Sequence, residues 1–205
     1  MSDFNPSLQS DDAASAMSKL DSSSPDAGEQ ASPSLRLASS DPTPVDMLEI
    51  ETSRFGTIEV EADRILKFNA GLLGFPEARE FALIQTGEEN YFFWMQCITD
   101  PKLAFVVCDP SLFLPDYTIR EVPMREEARD ELGLPEDITG DALAEATQVL
   151  AICNRVGELL TGNLLGPIVV NVATCQSKQI VLTEKRWTTR QPLLKLASEP
   201  LRKAS

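Results

Sequence analysis

The two stretches that decide the fold read Gly71-Leu72-Leu73-Gly74-Phe75-Pro76 and Thr161-Gly162-Asn163-Leu164-Leu165-Gly166-Pro167-Ile168-Val169-Val170-Asn171. Each sets glycine, proline or asparagine beside large apolar side chains. This combination is typical of tight corners between buried strands, because glycine accepts positive φ angles and proline interrupts a strand ladder. Neither stretch contains a nucleophile, a metal-ligand cluster or a phosphate-binding loop. Both therefore indicate a small β domain.

Alternating apolar and polar residues predict strands upstream of the first corner. Residues 48–52 and 57–62 alternate with period two, which is the pattern of a strand with one solvated face. Arg54-Phe55-Gly56 lies between them and predicts the turn of a hairpin. A further strand is expected at residues 64–68.

Downstream of that corner the sequence predicts six more strands and a helix. Two of the strand runs, residues 91–95 and 104–108, are apolar at nearly every position, so both of their faces should be covered. Pro123 to Leu132 predicts a helix, with Gly133 as its C-cap. Together these patterns predict an all-β fold, mainly a small antiparallel β-barrel-like domain with one or two short helices. The remaining strand runs are residues 81–85, 148–153, 168–172 and 179–183.

Composition divides the chain into three parts. Residues 1–46 contain twelve serines, five prolines and eight acidic residues, too little apolar surface to offset the entropy of ordering, so we predict a disordered extension. The β-barrel-like domain is expected to span residues 47–191. Residues 192–205 are assigned to a C-terminal tail.

The chain is acidic, with a net charge of −14, which indicates the kind of partner it attracts. Residues 47–205 carry 16 basic and 24 acidic residues, a net charge of −8. An acidic domain repels phosphate backbones and attracts basic partners, although acidity alone also keeps a protein soluble. We find no apolar run long enough to span a bilayer and no export signal. We therefore expect a cytoplasmic protein with no membrane contact.

The chemistry-bearing residues argue against most enzymes. The chain has no histidine, which excludes a Ser-His-Asp or Cys-His arrangement. Its four cysteines lack metal-ligand spacing and are predicted to be reduced structural thiols, and we expect no metal and no cofactor. A hydrolase with two carboxylates stays open on composition. The cysteines are Cys97, Cys108, Cys153 and Cys175.

Two features that resemble nucleic-acid motifs are better explained by packing. Gly71 to Gly74 matches a GxxG loop, but no Lys or Arg lies between Lys67 and Arg79 to hold phosphates. The aromatic run at residues 91–94 lacks an accompanying basic stripe. We therefore expect no direct nucleic-acid binding, and we predict that Phe75, Trp94 and Phe105 are core residues.

From Met47 to about Gln191 the chain resembles the FliW family of flagellar assembly factors. The resemblance rests on segments that occur in order along the chain, namely residues 48–52, 68–77, 93–96, 103–107, 109–110, 112–117, 163–171 and 178–182. Three features depart from the family pattern. Gly166 is more often alanine there, Thr118 and Arg120 stand where acidic residues tend to alternate, and the compact members lack the extension before Met47.

The resemblance implies a non-enzymatic factor with a small β-barrel-like domain. Proteins of this family bind flagellin in the cytoplasm and, alternatively, the translational regulator CsrA, a basic RNA-binding dimer. Once flagellin is exported, the freed factor captures CsrA and relieves its repression of flagellin translation. These partners are expectations that the resemblance supplies.

The candidate partner-binding residues are Asp116, Tyr117 and Glu121. The two acidic residues flank the tyrosine in a stretch where the family tends to be acidic, and we predict that they form an exposed strand edge that holds a basic protein. The alternative is a small β-barrel enzyme or ligand carrier that uses carboxylates at the barrel mouth.

Overall fold

The computed structural model describes residues 46–85, 91–183 and 185–196. Residues 1–45, which make up nearly all of the predicted disordered extension, lie outside the described residues. Within the described ranges the chain forms eleven strands, two α-helices and three 3₁₀ turns. The strands are β1 (Met47–Thr52), β2 (Gly56–Glu61), β3 (Leu66–Phe68), β4 (Glu80–Gln85), β5 (Phe92–Cys97), β6 (Ala104–Cys108), β7 (Thr147–Val156), β8 (Leu159–Gly162), β9 (Ile168–Asn171), β10 (Gln176–Gln179) and β11 (Gln191–Lys195). The helices are α1 (Glu126–Leu132) and α2 (Gly140–Ala146), and the 3₁₀ turns are Ala62–Arg64, Pro110–Leu112 and Ile119–Glu121.

Seven strands close into a ring in the order β9-β7-β6-β5-β4-β3-β10, and β10 pairs again with β9. The second half of β7 leaves the ring and pairs with β8, which in turn pairs with β11. The predicted mainly β, barrel-like fold with short helices is thus confirmed. The sheet is mixed rather than purely antiparallel, because β3 and β10 run parallel.

The predicted hairpin at the start of the domain is confirmed as β1 and β2. Thr52 closes its turn, because the Thr52 hydroxyl donates to the Gly56 carbonyl at 2.8 Å and accepts from the Phe55 N–H at 2.8 Å. Ile50 is buried against Ile65 and Ala82, which joins the hairpin to the ring. Acidic side chains occupy the solvated face, as period-two alternation requires.

The Gly71–Pro76 stretch forms the tight corner that the sequence predicts. Gly71 and Gly74 adopt φ angles of 72° and 85°, in the left-handed region. Leu72 and Phe75, which flank Leu73 and Gly74, exchange two backbone hydrogen bonds of 3.2 and 2.8 Å. A Cβ atom on Gly71 would lie 2.5 Å from the Pro76 carbonyl oxygen, so only glycine fits this position without a shift of the backbone.

The aromatic run of β5 lies in the core, as predicted. Every residue of β5 is buried, and Trp94 is 3% exposed. Phe75 and Phe105 are only partly buried, with their rings in an edge-to-face contact at 5.5 Å on the margin of the core. Trp94 belongs to a separate group of buried residues, here called the Trp94 cluster, which consists of Phe92, Trp94, Ala104, Val106, Cys108, Cys153, Leu160 and Leu196.

One predicted strand is displaced along the chain. The prediction of a strand at residues 179–183 is wrong, because β10 ends at Gln179. Ile180 lies opposite Pro167 and donates its N–H to the Pro167 carbonyl at 2.9 Å. Proline has no N–H with which to return this bond, so the regular strand ends here, although Leu182 still donates its N–H to the Leu165 carbonyl at 2.9 Å. The predicted helix also begins later than Pro123, at Glu126, and ends as expected at Gly133 in the left-handed conformation.

The folded region extends past residue 191, beyond which the sequence predicts a tail. β11 runs to Lys195, and the following Leu196 is 5% exposed in the Trp94 cluster. A bulge between Pro192 and Leu194 breaks the alternation of β11, so that Leu193 and Leu194 both pack on this cluster. Residues 197–205 lie outside the described residues.

The four cysteines are free and buried, in agreement with their assignment as structural thiols. The Cys153 and Cys108 sulfurs are hydrogen-bonded at 3.3 Å across β6 and β7. This hydrogen bond, together with burial, raises the pKa of the Cys108 thiol well above its ordinary value. Burial also raises the pKa of Cys175, with a further contribution from the Asp63 carboxylate. Both thiols therefore stay protonated and act as packing groups.

Candidate functional site

Tyr117, a predicted contact residue, is part of the core. Its side chain is fully buried, and its hydroxyl donates to the Leu164 carbonyl at 2.8 Å. The ring packs edge-on against Trp187, with 5.0 Å between centroids. The prediction that Tyr117 faces a partner is thus corrected, because its side chain is buried. The hydroxyl links the 110–121 segment to the corner at Leu164.

Asp116 and Glu121 lie on turns rather than on the predicted strand edge. Asp116 precedes Tyr117 in a turn, and Glu121 ends the 3₁₀ turn Ile119–Glu121. The Thr118 hydroxyl caps this 3₁₀ turn by accepting the Arg120 N–H at 3.4 Å, and this local hydrogen bond replaces a strand ladder. The acidic positions are therefore fixed by turn chemistry.

Two arginines face acidic side chains in this region. Arg186 lies 3.3 Å from the Asp116 carboxylate, and Arg120 lies 2.5 Å from Asp141. The Asp116 and Asp141 side chains are 84% and 88% exposed, so these pairs sit in a high-dielectric environment where they contribute little to stability. We call Asp116, Glu121 and Asp141 the acidic turn. Sequence reasoning missed Asp141, because it lies on α2, twenty residues beyond Glu121, and no clear helical pattern marks α2 in the sequence.

The Tyr117 hydroxyl gives a prediction that separates a core role from a contact role. Replacing Tyr117 with phenylalanine should lower the free energy of unfolding by about 1–3 kcal/mol, because the Leu164 carbonyl loses a buried hydrogen bond. Urea unfolding followed by tryptophan fluorescence measures the change. The matched control is Tyr91→Phe, since Tyr91 is 40% exposed and should tolerate the change. Unchanged stability in Tyr117→Phe would contradict the core role.

A second surface lies on β7, β8 and β11, of which the sequence predicts only β7. Val156, Leu159 and Lys195 occupy opposed positions on β7, β8 and β11, so their side chains share one face. Val156 and Leu159 are 43% and 37% exposed, and Lys195 is exposed beside them. Pro192 lies on the same face opposite Thr161. We call these four residues, Val156, Leu159, Pro192 and Lys195, the outer three-stranded face.

A cleft of about 420 Å³ bears on the ligand-carrier alternative. Glu77 and Glu80 line it together with Lys67 and Arg79, so the cleft presents both signs of charge.

The described residues contain no group of three or more His, Cys, Asp or Glu side chains able to hold a metal ion. The same ranges contain no helix with the length and apolarity needed to cross a bilayer.

The comparisons with known proteins agree with this architecture. Residues 49–193 match the family model described as FliW protein. A crystal structure of the flagellar assembly factor FliW aligns with a TM-score of 0.59 and 29% identity, and the alignment covers 71% of this chain and 96% of that chain. The flagellar assembly factor FliW of Magnetococcus marinus is 36% identical over 149 residues, which are 72% of this chain and 85% of the relative. That of Treponema denticola is 32% identical over 152 residues, which are 72% of this chain and 94% of the relative.

These matches define the class of the protein as a flagellar assembly factor, the description that its relatives carry. Because the family model covers most of the described domain, the chain belongs to the FliW family.

Proposed function

We propose that this chain serves flagellar assembly as a non-enzymatic cytoplasmic binding protein. It binds flagellin and, alternatively, the translational regulator CsrA, and capture of CsrA relieves the repression of flagellin translation. The observation that carries this proposal is the family match over residues 49–193. The net charge of −8 over residues 47–205 supports it, because CsrA is a basic partner.

The acidic turn is the part of the surface that we assign to CsrA. Asp116 and Asp141 project into solvent, each beside an arginine that a basic partner could displace at small cost. Charges at such an exposed rim speed the encounter of two proteins more than they deepen affinity, and salt weakens them. Arg120, together with Thr118, replaces part of the family's acidic trend, so we expect this contact to steer CsrA less strongly, and to be less salt-sensitive, than a fully acidic edge would be.

The test is a pair of charge reversals at the acidic turn. The double variant D116K/E121K should lower the association rate of CsrA roughly tenfold at low salt and by much less at high salt. Stopped-flow fluorescence at the two salt concentrations measures this rate. Flagellin binding should survive, because the termini of flagellin bury apolar helix faces and are expected to use an apolar groove.

The matched control is E49K/E59K, which makes the same change in net charge on the solvated face of the β1–β2 hairpin. An equal loss of rate in both variants would show that total charge rather than the acidic turn steers CsrA. An unchanged rate in D116K/E121K at low salt would remove the acidic turn from the site. The ligand-carrier alternative predicts that neither flagellin nor CsrA binds the unaltered chain at all.

A further inference from the structure

The C-terminal part of the folded domain is basic in an otherwise acidic chain. Residues 185–195 include Lys185, Arg186, Arg190 and Lys195 and no acidic residue, whereas the whole chain has a net charge of −14. The stretch is held in place by Trp187, which is 8% exposed and packs on Tyr117. Its last five residues form β11. We call residues 185–195 the basic stretch.

The basic stretch adjoins exposed apolar surface and an open sheet edge. Lys195 shares the outer three-stranded face with Val156 and Leu159, which are both more than a third exposed. Within the described ranges β11 pairs with β8 alone, so its other edge presents unpaired backbone groups. A surface with cations, apolar side chains and a sheet edge suits an acidic segment that also carries a few apolar residues.

The chain itself contains such a segment. Residues 1–46 carry eight acidic and two basic residues, and they include the alternating run Ser34-Leu35-Arg36-Leu37. This segment enters the fold at β1, whose hairpin partner begins after Phe55, and the Phe55 ring packs on the Trp94 cluster together with Leu193 and Leu194. Phe55 at the hairpin tip and Leu193 and Leu194 of β11 therefore border the same cluster, and β1 spans about 20 Å. Ten extended residues reach about 33 Å, which is longer than β1, so residues near Leu35 can return along the hairpin at least as far as its tip.

We propose that the acidic N-terminal segment, residues 1–46, docks within the same chain on the basic stretch and the outer three-stranded face. Charge complementarity selects this surface, since the segment has a net charge of −6 and residues 185–195 a net charge of +4. The covalent tether raises the effective concentration of the segment to the millimolar range, so contacts that are weak between separate molecules are populated within one chain.

A nitroxide spin label on the full chain tests this proposal. The label is attached to the variant Ser34→Cys, and the four native thiols are buried and do not compete for it. At low salt, the amide signals of Val156, Leu159 and Lys195 should lose more than half of their intensity relative to the reduced label. Salt near 1 M shortens the Debye length to about 3 Å and should restore most of that intensity.

Charge reversal in the labelled chain provides the control. R190E/K195E should restore the three signals at low salt, whereas K67E/K102E, the same charge change at exposed lysines on β3 and in the β5–β6 turn, should leave them broadened. Full intensity in the unaltered chain at low salt, or broadening that survives R190E/K195E, would overturn the proposal. In a mixture of isotope-labelled chain without nitroxide and unlabelled chain with nitroxide, any broadening comes from a second copy of the chain. Broadening of equal size in that mixture would also overturn docking within one chain.

Discussion

Replacing Trp94 with alanine is expected to lower the free energy of unfolding by about 3–5 kcal/mol. The indole is 3% exposed at the centre of β5 and contacts the Phe55 ring edge-on at 5.9 Å. The Arg54 side chain lies over the Trp94 ring, with its guanidinium carbon 4.6 Å from the centroid of that ring. Truncation therefore leaves a cavity in the Trp94 cluster and also loosens the tip of the β1–β2 hairpin. Urea unfolding monitored by circular dichroism measures the loss.

The control for Trp94→Ala is another aromatic truncation in the same region, Tyr91→Ala. Tyr91 is 40% exposed and makes a tilted ring contact with Phe113 at 6.4 Å, so its loss should cost about 1 kcal/mol or less. If Trp94→Ala kept its stability and instead lost flagellin or CsrA binding, the Trp94 cluster would be an interface and not a core.

Gly71→Ala should be more damaging than Gly74→Ala, although both glycines have positive φ and lie in the same corner. Alanine in the left-handed region costs roughly 1–2 kcal/mol at either position. At Gly71 the new Cβ would also lie 2.5 Å and 2.7 Å from the carbonyl oxygens of Pro76 and Phe75. These are backbone atoms that cannot rotate away, so we expect Gly71→Ala to cost at least about 2 kcal/mol more.

The two glycines control for each other. At Gly74 an added Cβ would meet no described heavy atom within 4 Å, so Gly74→Ala isolates the cost of the backbone conformation. Thermal unfolding of both variants, at equal protein concentration, gives the difference directly. Equal stabilities would mean that the corner moves to accommodate the Cβ atom, and that the close approach of Gly71 to the Phe75–Pro76 backbone does not constrain the fold.

The sequence predicted those parts of the fold that local patterning determines. β6 begins and ends where the apolar run does, and the hairpin turn at Phe55 and Gly56 lies where the alternation breaks. β8 and β11 were missed because Leu159–Gly162 is short and Gln191–Lys195 contains a proline, and both are strands only through their pairing with each other and with β7. Propensity gives little signal where tertiary pairing makes the strand.

The candidate site was harder to predict than the fold. Tyr117 stands between Asp116 and Thr118, so its neighbours in sequence suggest exposure, while its burial depends on Leu164 and Trp187 far along the chain. Asp141 joins the acidic turn through Arg120, a contact across 21 positions. The outer three-stranded face consists of residues from three strands, two of which lack a clear pattern in the sequence. Surfaces of this kind come from register, which single-sequence patterning does not provide.

The parallel pair of β3 and β10 has a consequence for how the chain acquires its structure. β3 to β6 form a meander whose neighbours follow one another along the chain, so these strands can pair early. The exposed edge of β3 must wait for Gln176 and Ser177, on the order of a hundred residues later, before Lys67 and Phe68 find their partners. Until then the nascent sheet presents an unpaired edge, and we expect ring closure to be the late, entropically costly step of folding.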